Sequence, residues 1–89
     1  MTEREFEIVN RLGLHARAAA KLVTLAAGFG SDIHIRRNDQ TVNGKSIMGV
    51  MLLAASKGTR ITIIADGEDE EEAVHQLGDL INRRFGEPE

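Results

Sequence analysis

Along this 89-residue chain, stretches with an apolar residue at every second position alternate with stretches where the spacing is three or four. A period of two builds a strand with one buried face, and a period of 3.6 builds a helix with one buried stripe. Glu5-Phe6-Glu7-Ile8 alternates, and Asn10 to Leu14 reads as a loop. The Ala- and Leu-rich run Ala16 to Ala27 is a helix, with Arg17, Lys21 and Thr24 on a polar stripe opposite Ala19, Leu22, Val23 and Ala26. Gly28-Phe29-Gly30 ends it. Ser31 to Arg37 alternates again with Ile33 and Ile35 inward, and Asn38-Asp39 turns into a short strand, Gln40 to Val42. A short helix from Ser46 to about Ala55, a β-branched strand from Thr59 to Ala65 and a helix from about Asp69 to Arg84 complete the chain. The order β-α-β-β-α-β-α predicts an α+β fold, a four-stranded sheet covered on one face by three helices. The same order also fits a ferredoxin-like fold with an added helix.

Length bounds the rest. Eighty-nine residues make one domain, spanning 1–89, and the absence of Cys excludes disulfide scaffolds and Cys-rich zinc modules. The longest apolar run, Gly49 to Ala55, is too short to cross a bilayer, and the charged start Met-Thr-Glu-Arg-Glu points to the cytoplasm. A net charge of -3 with three Phe, no Trp and no Tyr argues against nucleic acid as a partner. Charge is nonetheless uneven: residues 1–65 hold nine Lys/Arg against five Asp/Glu, and residues 66–89 hold two against nine. Glu68 to Glu72 suit a helix start, and the basic remainder could meet an anionic ligand or an acidic partner.

His34 and His75 fall on polar faces, but His15 immediately precedes the first turn of a helix. There the backbone N–H groups of Ala16, Arg17 and Ala18 lack intrahelical acceptors, which makes an anion site, and Arg17 adds a guanidinium suited to phosphate. Imidazole is a competent nucleophile for a phosphoryl group. The competing reading is a helix that simply begins at a histidine. No spacing of His residues suits zinc, and no Ser–His–Asp arrangement is indicated. Ser46 occupies an N-cap position, where a plain cap is the default and phosphorylation is electrostatically tolerated. In its helix Val50, Leu53 and Ala54 share an arc that can face the sheet. Ile47, Met48, Met51 and Leu52 form a second arc with little left to cover it, so we expect an adaptable contact patch. Together with Lys21 and Thr24 this arc is the expected partner-binding surface.

Gly13-Leu-His-Ala-Arg17, and Val42-Asn-Gly-Lys-Ser-Ile-Met-Gly-Val-Met-Leu-Leu-Ala-Ala55, resemble the histidine-containing phosphocarrier (HPr) family of the bacterial phosphotransferase system. The resemblance runs from about Phe6 to Phe85. It implies an open-faced β-sandwich, an antiparallel sheet of order 1-4-2-3 under three helices. It implies that enzyme I, charged from phosphoenolpyruvate, passes phosphate to Nδ1 of His15 with Arg17 supporting it, and that an enzyme IIA domain receives it. Ser46 matches the serine modified by an ATP-dependent kinase/phosphorylase, and Ile47, Met48 and Met51 match the docking surface. Ala18 stands where most members carry Pro, as in some members of the nitrogen-related branch, whereas the intact Asn-Gly-Lys-Ser-Ile-Met-Gly segment leans toward the general carrier of sugar uptake.

Two functional classes follow. The chain is a monomeric phosphoryl carrier rather than an autonomous enzyme, needing no metal or cofactor and no membrane partner. Alternatively it is an NPr-like interaction module of the nitrogen-related branch. A small enzyme with its own substrate pocket is least favoured, because a two-layer domain of this size offers little depth.

Overall fold

The computed structural model describes residues 1–89 as β1 (Thr2–Glu7), α1 (Ala16–Ala27), β2 (Asp32–Arg37), β3 (Gln40–Asn43), α2 (Ile47–Leu52), β4 (Arg60–Asp66) and α3 (Glu70–Asn82), then a 3-10 turn, Arg84–Gly86. Period-two patterning explains the sheet. Ile33 and Ile35 of β2 and Ile61, Ile63 and Ala65 of β4 are all buried on one face, while Arg60 and Asp66 stand outward. Backbone pairing orders the strands β1-β4-β2-β3, all antiparallel, with Phe6 opposite Ile61 and Ile35 opposite both Ile63 and Val42. The four-stranded antiparallel sheet of order 1-4-2-3 under three helices is therefore the fold, and β1 lies at an edge beside β4.

The helices close the apolar face. From α1 come Ala18, Ala19, Leu22 and Ala26; from α3 come Ala73, Val74, Leu77 and Ile81, all within one cluster of 19 buried residues. The other sheet face is a lattice of charges: Arg60 pairs with Glu5 at 2.9 Å and Glu7 at 3.6 Å, and Arg36 with Glu3 at 3.3 Å. Asp69 fastens the α1–β2 loop to the start of α3. Its carboxylate accepts Gly30 N–H at 2.9 Å, Ser31 N–H at 3.0 Å and the Ser31 hydroxyl. Those donors, the Ser31 hydroxyl first, hold its carboxyl below the ordinary carboxylate value.

Element ends differ from the sequence reading for identifiable reasons. β1 starts three residues earlier, at Thr2, because its whole length finds partners on β4. α2 stops at Leu52 rather than near Ala55. Leu53 caps it, and Ala54 turns left-handed at φ 48° so that the Ala55 carbonyl can accept the Leu14 N–H at 2.8 Å. Ala54 is consequently exposed instead of joining Val50 and Leu53 in the core. α3 stops at Asn82 rather than Arg84, because Arg84, Phe85 and Gly86 follow with φ of 59°, 56° and 79°. Left-handed geometry costs a non-glycine residue about 1–2 kcal/mol. Burying Phe85 to 1% exposure returns about 1.5–3 kcal/mol, which offsets much of that cost. The reversal carries residues 87–89 back across the start of α1.

Candidate functional site

His15 is the N-cap of α1. Its backbone is extended, with φ -70° and ψ 176°, its carbonyl accepts the Ala19 N–H at 2.8 Å, and its side chain does not cap the helix. The ring is thus free to face outward. It stands where Ala16, Arg17 and Ala18 N–H groups have no intrahelical acceptor. The loop before it is set by close backbone packing: Gly13 adopts φ +67° with Ala55 directly against it.

His15 is 29% exposed and sits in an open cleft with Arg11, Leu12, Arg17 and the tail Glu87-Pro88-Glu89. Arg17 is exposed and forms no ion pair or hydrogen bond within the chain through its side chain, so its guanidinium is available to an incoming anion. Ala18 contributes its methyl group to the core, and Ala16 is exposed. The predicted trio of N–H groups, His15 and Arg17 therefore lie together at one helix end.

One participant has no counterpart in the sequence reading. Glu87 Oε2 lies 2.5 Å from His15 Nε2, and Glu87 Oε1 accepts Asn10 Nδ2–H at 3.0 Å. Asn10 is fully buried and also donates to the Gly13 carbonyl at 2.8 Å. Lys21, predicted for partner contact, is exposed yet tied: its ammonium donates to the Phe85 carbonyl at 2.6 Å, and Arg11 N–H donates to the Glu89 carbonyl at 2.9 Å. Burial pushes the Glu87 carboxyl up, but hydrogen bonds from Asn10 and His15 and the charges of His15 and Lys21 prevail, leaving it below its ordinary value. A contact spanning 72 residues gives no local pattern. The only hint in the sequence is Phe85, an apolar residue beyond the helix stripe that requires burial.

Ser46 caps α2, its Oγ accepting Gly49 N–H at 3.1 Å, and it is half-buried. On that helix Ile47, Met48, Met51 and Leu52 are exposed, Met48 at 73%. Val50 and Leu53 are the buried members of the opposite arc. Thr24 is exposed on α1 and lines a shallow groove with Arg17 and Lys21. His34 and His75 are exposed and remote from the cleft residues. A polar trough on the open sheet face, between Arg36, Arg37 and Arg60, is of comparable size. There Arg36 and Arg60 are neutralised by Glu3, Glu5 and Glu7, and Arg37 donates to the Leu53 carbonyl at 2.7 Å. No helix is long and apolar enough to cross a membrane.

Comparison with known proteins agrees with the fold. The family model described as "PTS HPr component phosphorylation site" matches residues 2–83. The chain is 54% identical over 89 residues to the phosphocarrier protein HPr of Neisseria meningitidis serogroup A, covering all of both chains. It is 53% identical over 89 residues to that of Cupriavidus necator, again with full coverage of both. The crystal structure of HPr-C-His from Thermoanaerobacter tengcongensis superposes with a TM-score of 0.96 at 47% identity, covering 100% of each chain.

Proposed function

The chain belongs to the HPr family, the phosphocarriers of the phosphotransferase system, and from that premise we propose the path of the phosphoryl group through it. His15 takes the group from enzyme I that has been charged by phosphoenolpyruvate, and passes it to a histidine of an enzyme IIA domain. The observation that supports this reading is the pairing of a half-open His15 ring, at the N-cap of α1, with an unpaired Arg17 in the same cleft. A phosphoryl group on the ring would meet the free N–H groups of Ala16, Arg17 and Ala18, the positive end of the helix dipole and the guanidinium. Ile47, Met48, Met51 and Leu52, with Lys21 and Thr24, seat both partners in turn. The chain acts as a single domain and a monomer in the cytoplasm, with enzyme I and enzyme IIA supplying the chemistry that it carries.

Incubation with enzyme I and phosphoenolpyruvate should add one acid-labile phosphate per chain. Equal labelling of His15→Ala would sink the assignment. Ser46 is proposed as a second, regulatory phosphorylation site for a kinase/phosphorylase, because it sits at a helix start next to the docking arc, where added charge leaves the fold intact and changes the surface. Ala18 favours a second reading, a carrier of the nitrogen-related branch acting mainly as an interaction module. Competition between sugar-type and nitrogen-type enzyme I for this chain separates the two.

A further inference from the structure

Around the His15 ring, one nitrogen is held and the other is bare. Nε2 lies 2.5 Å from Glu87 Oε2, whereas Nδ1 has no hydrogen-bond partner in the chain. The carboxylate that grips Nε2 is itself fixed. Asn10 Nδ2 holds its other oxygen at 3.0 Å, and the same amide is anchored on the Gly13 carbonyl at 2.8 Å. The backbone leading to Glu87 is equally determined, by the left-handed turn at residues 84–86, the buried Phe85 ring and the Lys21 ammonium on the Phe85 carbonyl. With only 13% of the Glu87 side chain exposed, water competes weakly for the contact.

A carboxylate has no proton to offer at neutral pH, so the proton in this contact belongs to Nε2. A neutral imidazole carrying its proton there has its lone pair on Nδ1. We propose that Glu87 is a positioning residue, whose carboxylate holds His15 as the Nε2–H tautomer in one ring orientation and so leaves Nδ1 as the nitrogen open to phosphoryl transfer. This rests on His15 being the acceptor, as proposed above. During transfer the bond between phosphorus and the charged donor breaks and its electron pair returns to the donor. The Nδ1 lone pair forms the new bond to phosphorus. The His15 ring then carries positive charge, and its Nε2 proton stays in the hydrogen bond to Glu87, whose negative charge faces it. The same carboxylate keeps an anionic group away from Nε2 by repulsion and by occupancy. A buried carboxylate fixes the tautomer of a catalytic histidine in hydrolases by the same logic.

The test is nitrogen-15 NMR of the His15 ring in the full-length, unphosphorylated protein, at a pH where the ring is neutral, for wild type, Glu87→Gln and Glu87→Leu. In wild type the proton should reside on Nε2. In Glu87→Leu the ratio of Nε2–H to Nδ1–H forms should fall roughly tenfold, the worth of a charge-assisted hydrogen bond. Glu87→Gln, which keeps an acceptor oxygen, should recover part of the ratio. A wild-type ring protonated on Nδ1, or an unchanged ratio in Glu87→Leu, overturns the proposal; the wild-type spectrum alone decides if that variant does not fold. After phosphorylation, wild type should carry phosphate on Nδ1 alone and Glu87→Leu a measurable Nε2 adduct. Phosphate exclusively on Nδ1 in every variant overturns the steering role. Failure of wild type to be labelled at His15 would overturn the carrier reading, while the tautomer result would still stand or fall by itself.

Discussion

A Cβ atom on Gly13 would lie 2.5 Å from the carbonyl oxygen of Ala55, so the loop before α1 and the segment after α2 are pressed together with no room for a side chain. Gly13 also holds φ +67°, and the neighbouring Leu14 N–H donates to that same Ala55 oxygen at 2.8 Å. The contact sets the height at which His15 enters the helix. Gly13→Ala must open the junction and keep a left-handed alanine, which should cost about 2–4 kcal/mol. Urea denaturation followed by circular dichroism measures it, and a loss below about 0.5 kcal/mol would show that the junction yields freely. Phosphotransfer should fall as well, since His15 moves with the loop.

Phe85 is the pin of the returning tail. Its side chain is buried in the core cluster, although the backbone there is left-handed. Phe85→Ala should destabilise the fold by about 3–5 kcal/mol, as large-to-small changes in cores do. It should also release Glu87 from His15, visible as a His15 ring signal that no longer responds to Glu87→Leu. Stability lost without any change at His15 would show that the tail is held by its other contacts, from Lys21 and Arg11.

Carboxylates set the acid limit. Asp69 is held below its ordinary value by the Ser31 hydroxyl and then the Gly30 N–H, and Glu70 is lowered to about 2, chiefly by the Thr2 hydroxyl and then by the chain's amino group. A depressed folded value means that each group contributes stability above its unfolded value, 3.8 and 4.5 respectively, and loses it as pH falls through the folded value. The contribution of these two carboxylates should therefore be flat between about pH 5 and pH 7 and decline progressively below that toward pH 2. Asp69→Asn should lower the urea midpoint clearly at pH 7 and much less at pH 2. An equal deficit at both values would show that the hydrogen bonds do not depend on the charge.

The legible parts of this molecule are those where burial dictates a local pattern. Ile33 and Ile35, and Ile61 and Ile63, could alternate only as strands with one face in the core, and Arg17, Lys21 and Thr24 could share only a solvent face. The exposed arc Ile47, Met48, Met51 and Leu52 was equally readable, because so short a helix buries one side. The left-handed turns at Ala54, Arg84 and Phe85 were not, since none is a glycine and tertiary contacts impose them. Asn10 and Glu87 escaped for a related reason. A polar residue explained by a partner 77 positions away carries no periodicity of its own.

The exposed arc of α2 and its cap Ser46 should respond differently to salt. Met51 is 42% exposed and belongs to the helix that Ser46 caps, so the uncharged, similarly sized Met51→Gln should leave stability within about 0.5 kcal/mol of wild type while weakening productive encounter with enzyme I roughly tenfold. Ser46→Asp keeps the cap, because Asp accepts the Gly49 N–H as serine does, so the helix should survive. Its negative charge should repel an acidic partner and slow transfer roughly tenfold at low ionic strength, and added salt should shrink that deficit. Stopped-flow phosphotransfer at two salt concentrations distinguishes the variants. The Met51→Gln defect comes from lost apolar contact without a new charge and should persist at high salt, whereas the Ser46→Asp defect comes from charge and should fade. If both deficits respond to salt alike, the apolar arc is not a docking surface.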